Sequence, residues 1–223
     1  MSPDGAQVAF SSNRTGQWGI YVKDIFGTDD PGDPILVDGG PKGVTDWSQD
    51  DDLIIQMRVR PGLSIPDNDI FRLPLAAQDR DLEFLVTGGN YGRLNADETL
   101  IAFVSIGAQG NSQIFVQAYP DAGDTRRQVT FEGGTQPIWG ADPTELYYGS
   151  SDSIMAQKIL VTEEGIDPGP TSVAVPGIVS LGVGFPRYGV TSDGSFIVLE
   201  LTGESTNTIG ATAIANFQAL LQQ

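Results

Sequence analysis

Cysteine and histidine are both missing from the 223 residues. Without cysteine there is no disulfide, no thiol nucleophile and no thiolate metal site. The lack of histidine removes more: no Ser-His-Asp triad, no Cys-His pair and no His-ligated zinc can be assembled. Positive charge is scarce as well. Twelve Lys and Arg residues, three of them lysines, stand against 29 Asp and Glu, for a net charge of −17. Such a field repels phosphate backbones and anionic membranes, so neither nucleic acid nor membrane insertion is expected. No apolar run approaches the ~18 residues that span a bilayer. The first ten residues hold neither a basic stretch nor an apolar core, so no signal peptide is expected within this chain. Kinase motifs (a Gly-rich loop before a strand lysine, H-R-D, D-F-G) and the hydrolase G-x-S-x-G are absent. Gly182-Val183-Gly184 lacks the rest of a dinucleotide or phosphate-loop pattern.

What is present is turn chemistry. Hydrophobic residues make up 39%, with 28 glycines and 14 prolines, which suits a globular, turn-rich chain long enough for a substantial core. The acids fall in turn-like stretches, such as Asp29, Asp30 and Asp33, or Asp50, Asp51 and Asp52. Solubility from turn aspartates accounts for them; adaptation to a saline habitat is the alternative.

Residues 128–148, QVTFEGGTQPIWGADPTELYY, give the plan: strand, Gly-Gly turn, short strand to Trp139, tight turn at Asp142, strand. Taking Asp142 as a marker, equivalents stand at Asp4, Asp50, Asp97 and Asp193, in steps of 46, 47, 45 and 51 residues. Units of 40–50 residues holding several short strands are the signature of propeller blades. Side chains recur at fixed offsets too. Four and six residues past the marker lie Val8/Phe10, Ile101/Phe103, Leu146/Tyr148 and Ile197/Leu199, a period of two that places each pair on one strand face. In the second copy Ile54 is followed by Gln56; counting from Asp51 gives Ile55 and Met57, which predicts one extra residue in that turn. Third strands are expected at Ile20-Tyr21-Val22, Ile70-Phe71-Arg72-Leu73, Ile114-Phe115-Val116 and, more weakly, Ile154-Met155-Ala156. Fourth strands are expected at Ile35-Leu36-Val37, 83–87, 127–130 and 172–175. Three of these fourth strands run into Gly39-Gly40, Gly88-Gly89 or Gly133-Gly134, where glycine supplies a sharp turn between units.

The expected fold is all-β: one propeller domain or fragment over 1–223, with four-stranded antiparallel blades at about 2–46, 47–93, 94–138, 139–189 and 190–213. Ile214, Phe217, Leu220 and Leu221 recur at helical spacing and predict a short C-terminal helix over 213–221. The count of roughly four and a half blades falls short of a ring, so the spacing predicts a fragment or a ring completed by sequence before Met1.

Residues 2–24, SPDGAQVAFSSNRTGQWGIYVKD, resemble the TolB-like, WD40-like β-propeller repeat: W-S-P-D-G, an apolar strand, S-[DN]-R-x-G, then I-Y-V. The other copies are degenerate. Residues 113–159 are similar to the C-terminal propellers fused to some bacterial serine/threonine protein kinases, and ANFQALL resembles the segment that ends them. The resemblance implies a bacterial protein, a parent ring of about six or seven blades, an N-terminal effector domain as covalent partner, and an extracytoplasmic or periplasmic location.

Few residues invite a chemical role. The marker aspartates cap their own turns by accepting from backbone N–H groups two residues on. Asp50-Asp51-Asp52 and Pro66-Asp67-Asn68-Asp69 offer clustered oxygens but not the D-x-[DN]-x-[DN]-G spacing of a calcium loop, so no metal and no cofactor is expected. Trp47 and Trp139 hold one repeat position and are expected to pack between blades. Trp18 lies off the repeat, in the loop between the second and third strands of its blade, and is the candidate binding residue; a buried loop anchor is its other reading. Arg126-Arg127 is expected at a solvated strand end. The function expected is a non-catalytic interaction, scaffold or sensor module for a protein or small ligand. Two alternatives stand beside it: a gating propeller of a prolyl-oligopeptidase-type peptidase, and a propeller carbohydrate-active enzyme with carboxylates converging in its channel.

Overall fold

The computed structural model describes residues 1–28, 30–37, 40–58, 68–77, 80–121, 123, 125–177, 188–200 and 210–214, the last seven of these (199, 200 and 210–214) by backbone alone. Among them there are strands and turns and no helix. Five antiparallel sheets follow in chain order. The first pairs β1 (Gln7–Ser12) with β2 (Gly19–Asp24). The second holds β3 (Lys42–Trp47), β4 (Asp52–Arg58), β5 (Asn68–Pro74) and β6 (Glu83–Val86). The third holds β7 (Asn90–Leu94), β8 (Leu100–Ile106), β9 (Ser112–Ala118) and β10 (Arg127–Gln128). The fourth holds β11 (Thr135–Trp139), β12 (Glu145–Ser150), β13 (Ser153–Thr162) and β14 (Gly165–Val175). The fifth holds β15 (Tyr188–Val190), β16 (Phe196–Glu200) and β17 (Gly210–Ile214). Within each sheet, sequence neighbours are hydrogen-bonded neighbours, the meander that a repeated strand–turn plan dictates.

The core lies between sheets. One cluster joins Ile20 of the first sheet to Trp47, Leu53, Ile55 and Met57 of the second. Ile54 and Ile70 meet Ile101 and Phe103 across the next joint. Leu100, Ala102 and Val104 then meet Trp139, Leu146 and Tyr148. Tyr147 and Ile154 meet Phe196 and Val198 at the last. Successive residues of β4, β8 and β12 therefore feed opposite joints, which is why their central stretches are continuous apolar runs rather than alternating ones.

Four of the five marker turns share a left-handed residue; the fifth has Pro143 at that position. Gly5, Asp51, Glu98 and Gly194, each one past the marker, have φ of +72°, +64°, +55° and +81°. Turn lengths differ, and the difference corrects the expected register. Leu94 pairs with Ile101 and Trp139 with Leu146, a spacing of seven. Trp47 pairs with Leu53 and Val190 with Phe196, a spacing of six. The second copy is thus one residue shorter than its neighbours, not one longer, and Leu53, Ile55 and Met57 form the face turned to the first sheet. The fifth copy is shorter in the same way: Phe196 and Val198 occupy the joint in place of Ile197 and Leu199, and Ile197 stands 43% exposed.

At the Gly-Gly turns the two glycines do different work. Gly88 and Gly133 have φ of +62° and +102°. The second glycine answers to space: a Cβ on Gly89 would lie 2.9 Å from both Ile70 and Val86, and one on Gly134 2.7 Å from Ile114. Gly39 lies outside the described residues.

Fourth strands vary most. The expected 35–37 strand is reduced to a bridge, Ile20 to Leu36, after Pro34. The outer hairpin of the fourth sheet is much longer than expected, β13 having 10 residues and β14 having 11. Pro168 and Pro170 argue against a strand, yet β14 is an outer edge, where a missing N–H costs no ladder bond. At the C-terminus, Ala213 and Ile214 pair with Ile197 and Phe196 as the end of β17, so the first two residues of the expected helix are strand; residues 215–221 lie outside the described residues.

Candidate functional site

The marker carboxylates are committed to the frame. Asp4 accepts from the Ala6 N–H at 2.9 Å and the Ser2 hydroxyl at 2.6 Å. Asp142 accepts from the Thr144 N–H at 2.9 Å, the Thr144 hydroxyl at 2.7 Å and Lys158 at 3.1 Å. Asp193 accepts from the Thr191 hydroxyl and the Ser195 N–H. These bonds hold all three carboxyls below their ordinary range. For Asp142, the Thr144 hydroxyl bond first among them, the value is about 2.

The acidic run divides into separate tasks. Asp51 accepts the Trp47 indole N–H at 2.8 Å. Buried Asp52 lies 3.0 Å from the Arg72 guanidinium, and its carboxyl is raised by that burial. Asp69 accepts the Gly88 N–H at 2.9 Å, and Pro66 and Asp67 lie outside the described residues. No group of three acids that could hold a metal occurs among the described residues.

The inner strands β3, β7, β11 and β15 are stitched side by side. Asp46 of β3 accepts the Leu94 N–H of β7 at 2.8 Å and lies 3.8 Å from Arg93. Burial raises the Asp46 carboxyl despite these partners. Trp139 donates its indole N–H to the Arg93 carbonyl at 2.9 Å, and Tyr188 donates to the Gln136 carbonyl at 2.7 Å. Trp139 and Trp47 are buried at their joints, as their shared repeat position requires. Each of β3, β7 and β11 is kinked by a register shift, and Tyr91 and Gln136 there have φ of +55° and +52°. The Gln56 side chain accepts the Tyr91 N–H at 2.8 Å and supports that kink across a joint.

One region is built differently. Between the first two sheets opens a cleft of about 690 Å³, lined in part by Phe10, Ser11, Trp18, Lys42, Gln56 and Arg58. Trp18 is 40% exposed at its side, whereas Trp47 and Trp139 are 6% and 8% exposed. Its position is fixed through the backbone. Buried Lys42 donates to the Trp18 carbonyl at 2.9 Å and to the Val37 carbonyl at 3.3 Å. Gly19 follows because Pro34 crosses over it, 2.7 Å from where a Cβ would be. The loop before Trp18 is pinned by Arg14, whose guanidinium lies 5.2 Å from the Phe10 ring and 4.6 Å from the Tyr21 ring. Trp18 is thus not a buried loop anchor: it is held through its backbone with its side chain partly open to the cleft. Lys42 and Arg58 are the charged side chains among the described lining residues, and both are cationic.

Arg126 and Arg127 are exposed at the start of β10, as expected, and Arg126 has specific partners there. Its guanidinium lies 4.7 Å from the Phe115 ring and 5.1 Å from the Phe103 ring, and it donates to the Ser105 hydroxyl at 2.9 Å. It covers the Phe103 and Phe115 rings as Arg14 covers Phe10 and Tyr21, and like Arg127 it remains exposed. The cleft itself escaped the sequence because its walls come from β1, β3, β4 and β5. One signal pointed there, Trp18 off the repeat.

No family model and no curated protein matches the chain. Solved structures do. TolB from Acinetobacter baumannii superposes with a TM-score of 0.67 at 15% identity, over 96% of this chain and 50% of that one. The present chain therefore spans half the length of that relative. A puromycin-hydrolysing peptidase from Mycobacterium tuberculosis matches with a TM-score of 0.58 at 15% identity, over 94% of this chain and 38% of the peptidase. A gluconolactonase from Xanthomonas campestris matches with a TM-score of 0.52 at 12% identity, over 93% of this chain and 67% of that one. At these identities the likeness concerns architecture. Together with the four-stranded antiparallel sheets stacked in chain order, it makes this chain a TolB-like β-propeller in fold.

Proposed function

We propose that this propeller is a non-catalytic recognition module of a larger bacterial protein, kinase-associated, and that the cleft beside Trp18 is where it binds. The observation that carries this reading is the contrast among the three tryptophans. Two fill joints, and the third is held by its backbone with its ring open to a cleft. Aromatic anchors beside a polar lining are what recognition surfaces use. The capping roles of Asp4, Asp142 and Asp193 also support it, because the repeat's most regular carboxylates are committed to turns. An N-terminal effector domain is the covalent partner in this proposal, and the location is extracytoplasmic.

Trp18 supplies the readout. Titration of pooled extended peptides should shift tryptophan emission in the wild-type chain and leave it unchanged in Trp18→Phe. An equal shift in the variant would place binding elsewhere. The natural reading frame tests the association. Kinase motifs upstream support it, and a downstream α/β-hydrolase bearing G-x-S-x-G would favour the peptidase-gating role instead.

A further inference from the structure

We propose that the outer hairpin of the fourth sheet, β13–β14, docks a basic segment of a partner protein on the face it turns toward the third sheet. This surface is separate from the Trp18 cleft, and the sheets on either side of it are both described. Repetition does not explain the hairpin. The outer strands β6 and β10 have 4 and 2 residues, whereas β13 and β14 have 10 and 11.

Pairing of Ile159 with Pro168 and of Val161 with Ile166 places these four side chains on one face. Ile159 and Ile166 are buried there in one cluster with Val116 and Val129. Val161 continues the same apolar stripe past the joint and is 66% exposed. Where the stripe leaves the core, a cleft of about 650 Å³ opens between the hairpin end, 162–167, and Arg127. β10 begins only at Arg127, so the third sheet meets the hairpin end through that residue alone among the described lining. The end has a defined backbone. Glu163 and Glu164 form a two-residue turn closed by the pair Thr162 and Gly165, with Gly165 at φ +115°. The Thr162 hydroxyl accepts the Glu164 N–H at 3.2 Å and donates to the Gly165 carbonyl at 3.1 Å. Acids at an exposed turn need no more than solubility to explain them. A core stripe that runs on into solvent beside a cleft is left unexplained by that reading.

The apolar stripe carries the proposal, and charge names the occupant. Glu163, Glu164 and Asp167 line the cleft against a single base, Arg127. None of the four enters an ion pair among the described residues, and Lys158, the hairpin's own base, is taken by Asp142 at 3.1 Å. A second copy, itself at −17, is repelled. A segment with Lys or Arg on either side of an apolar residue meets both features. Its apolar side chain covers Val161 and the edge of Ile166, and its bases meet the carboxylates.

The test displays random ten-residue peptides to the full chain at physiological salt and measures an enriched sequence as a synthetic peptide by calorimetry. Sequences with Lys or Arg flanking an apolar residue should be enriched. Neutralising the hairpin end (Glu163→Gln, Glu164→Gln and Asp167→Asn together) should weaken binding more than tenfold. Neutralising three exposed acids elsewhere (Asp50→Asn, Asp81→Asn and Asp152→Asn) makes the same change in net charge and should alter it less than twofold. Val161→Thr keeps the β-branch that suits a strand and should cost about fourfold. Leu160→Thr lies on the opposite face and should cost nothing. Urea midpoints check that each variant is folded; if the hairpin triple is not, Val161→Thr against Leu160→Thr decides alone. Several results overturn the proposal: no peptide enriched, enrichment of acidic sequences, or equal losses from the two triple variants, which is attraction to an acidic molecule at large. Equal effects of Val161→Thr and Leu160→Thr overturn it too. Loss of the peptide in Trp18→Ala would move it to the other cleft with the same consequence. Self-association abolished by Val161→Thr would assign the face to a second copy, and failure of the natural full-length protein to bind would assign it to another part of the same chain; either overturns it.

Discussion

Truncating Phe196 and truncating Ile197 should have very different costs, and the difference tests the register of the last sheet. By repeat spacing from the marker, Ile197 is the counterpart of Ile101, a fully buried joint residue. The pairing of Val190 with Phe196 shifts the register by one. Phe196 then packs edge-on against Tyr147, ring centroids 5.0 Å apart at 87°, and is 7% exposed. Phe196→Ala removes a buried ring and leaves a cavity, which costs ~3–5 kcal/mol, including ~0.5–1.5 for the aromatic pair. Ile197→Ala removes three carbons from a side chain 43% exposed. Its surroundings can close and its transfer term is roughly halved, so the loss should stay near 1 kcal/mol. Ile101→Ala is the reference, at ~2–5 kcal/mol. Urea unfolding followed by tryptophan emission gives all three differences on one scale, with unchanged m-values as the control for two-state behaviour. If Ile197→Ala costs as much as Phe196→Ala, the shortened turn is wrong and the repeat alignment was right.

Two further outcomes follow from the joints and turns. Gly134→Ala should destabilise by ~1–3 kcal/mol in the same urea assay, because its Cβ would press on Ile114 at 2.7 Å, while Gly110→Ala, with open space around it, should cost only the strain of its φ of +79°. Acid should separate Asp142→Asn from the wild type: the Thr144 and Lys158 bonds hold the carboxyl at about 2, so its contribution is present above its unfolded value near 4 and is lost as pH falls toward about 2. The variant should therefore be less stable at neutral pH, and the gap should close below about pH 2 in parallel urea titrations; a gap independent of pH would contradict the capping role.

The architecture was legible because a propeller writes its plan five times. Trp47 and Trp139, the marker aspartates and the Gly-Gly pairs recur because each joint poses the same steric problem, and recurrence separates frame from function. Legibility failed where one copy departs by a single residue. Apolar residues fill both faces of these strands, so a shift from Ile197 to Phe196 leaves the pattern equally plausible, and the pairing alone decides. It failed again at β13 and β14, where prolines hid an edge strand. Of the site, Trp18 was visible as the aromatic that the repeat does not explain. Lys42 and Arg58 were not, because they converge from strands distant in sequence.

The central claim is that recognition occurs at the Trp18 cleft, and the affinity ratio of wild type to Trp18→Ala for one selected peptide tests it most directly. Calorimetry at matched salt, on variants with the same urea midpoint, should show a loss of at least about tenfold, the order expected for an aromatic anchor. Equal affinities in two equally folded chains would contradict the claim.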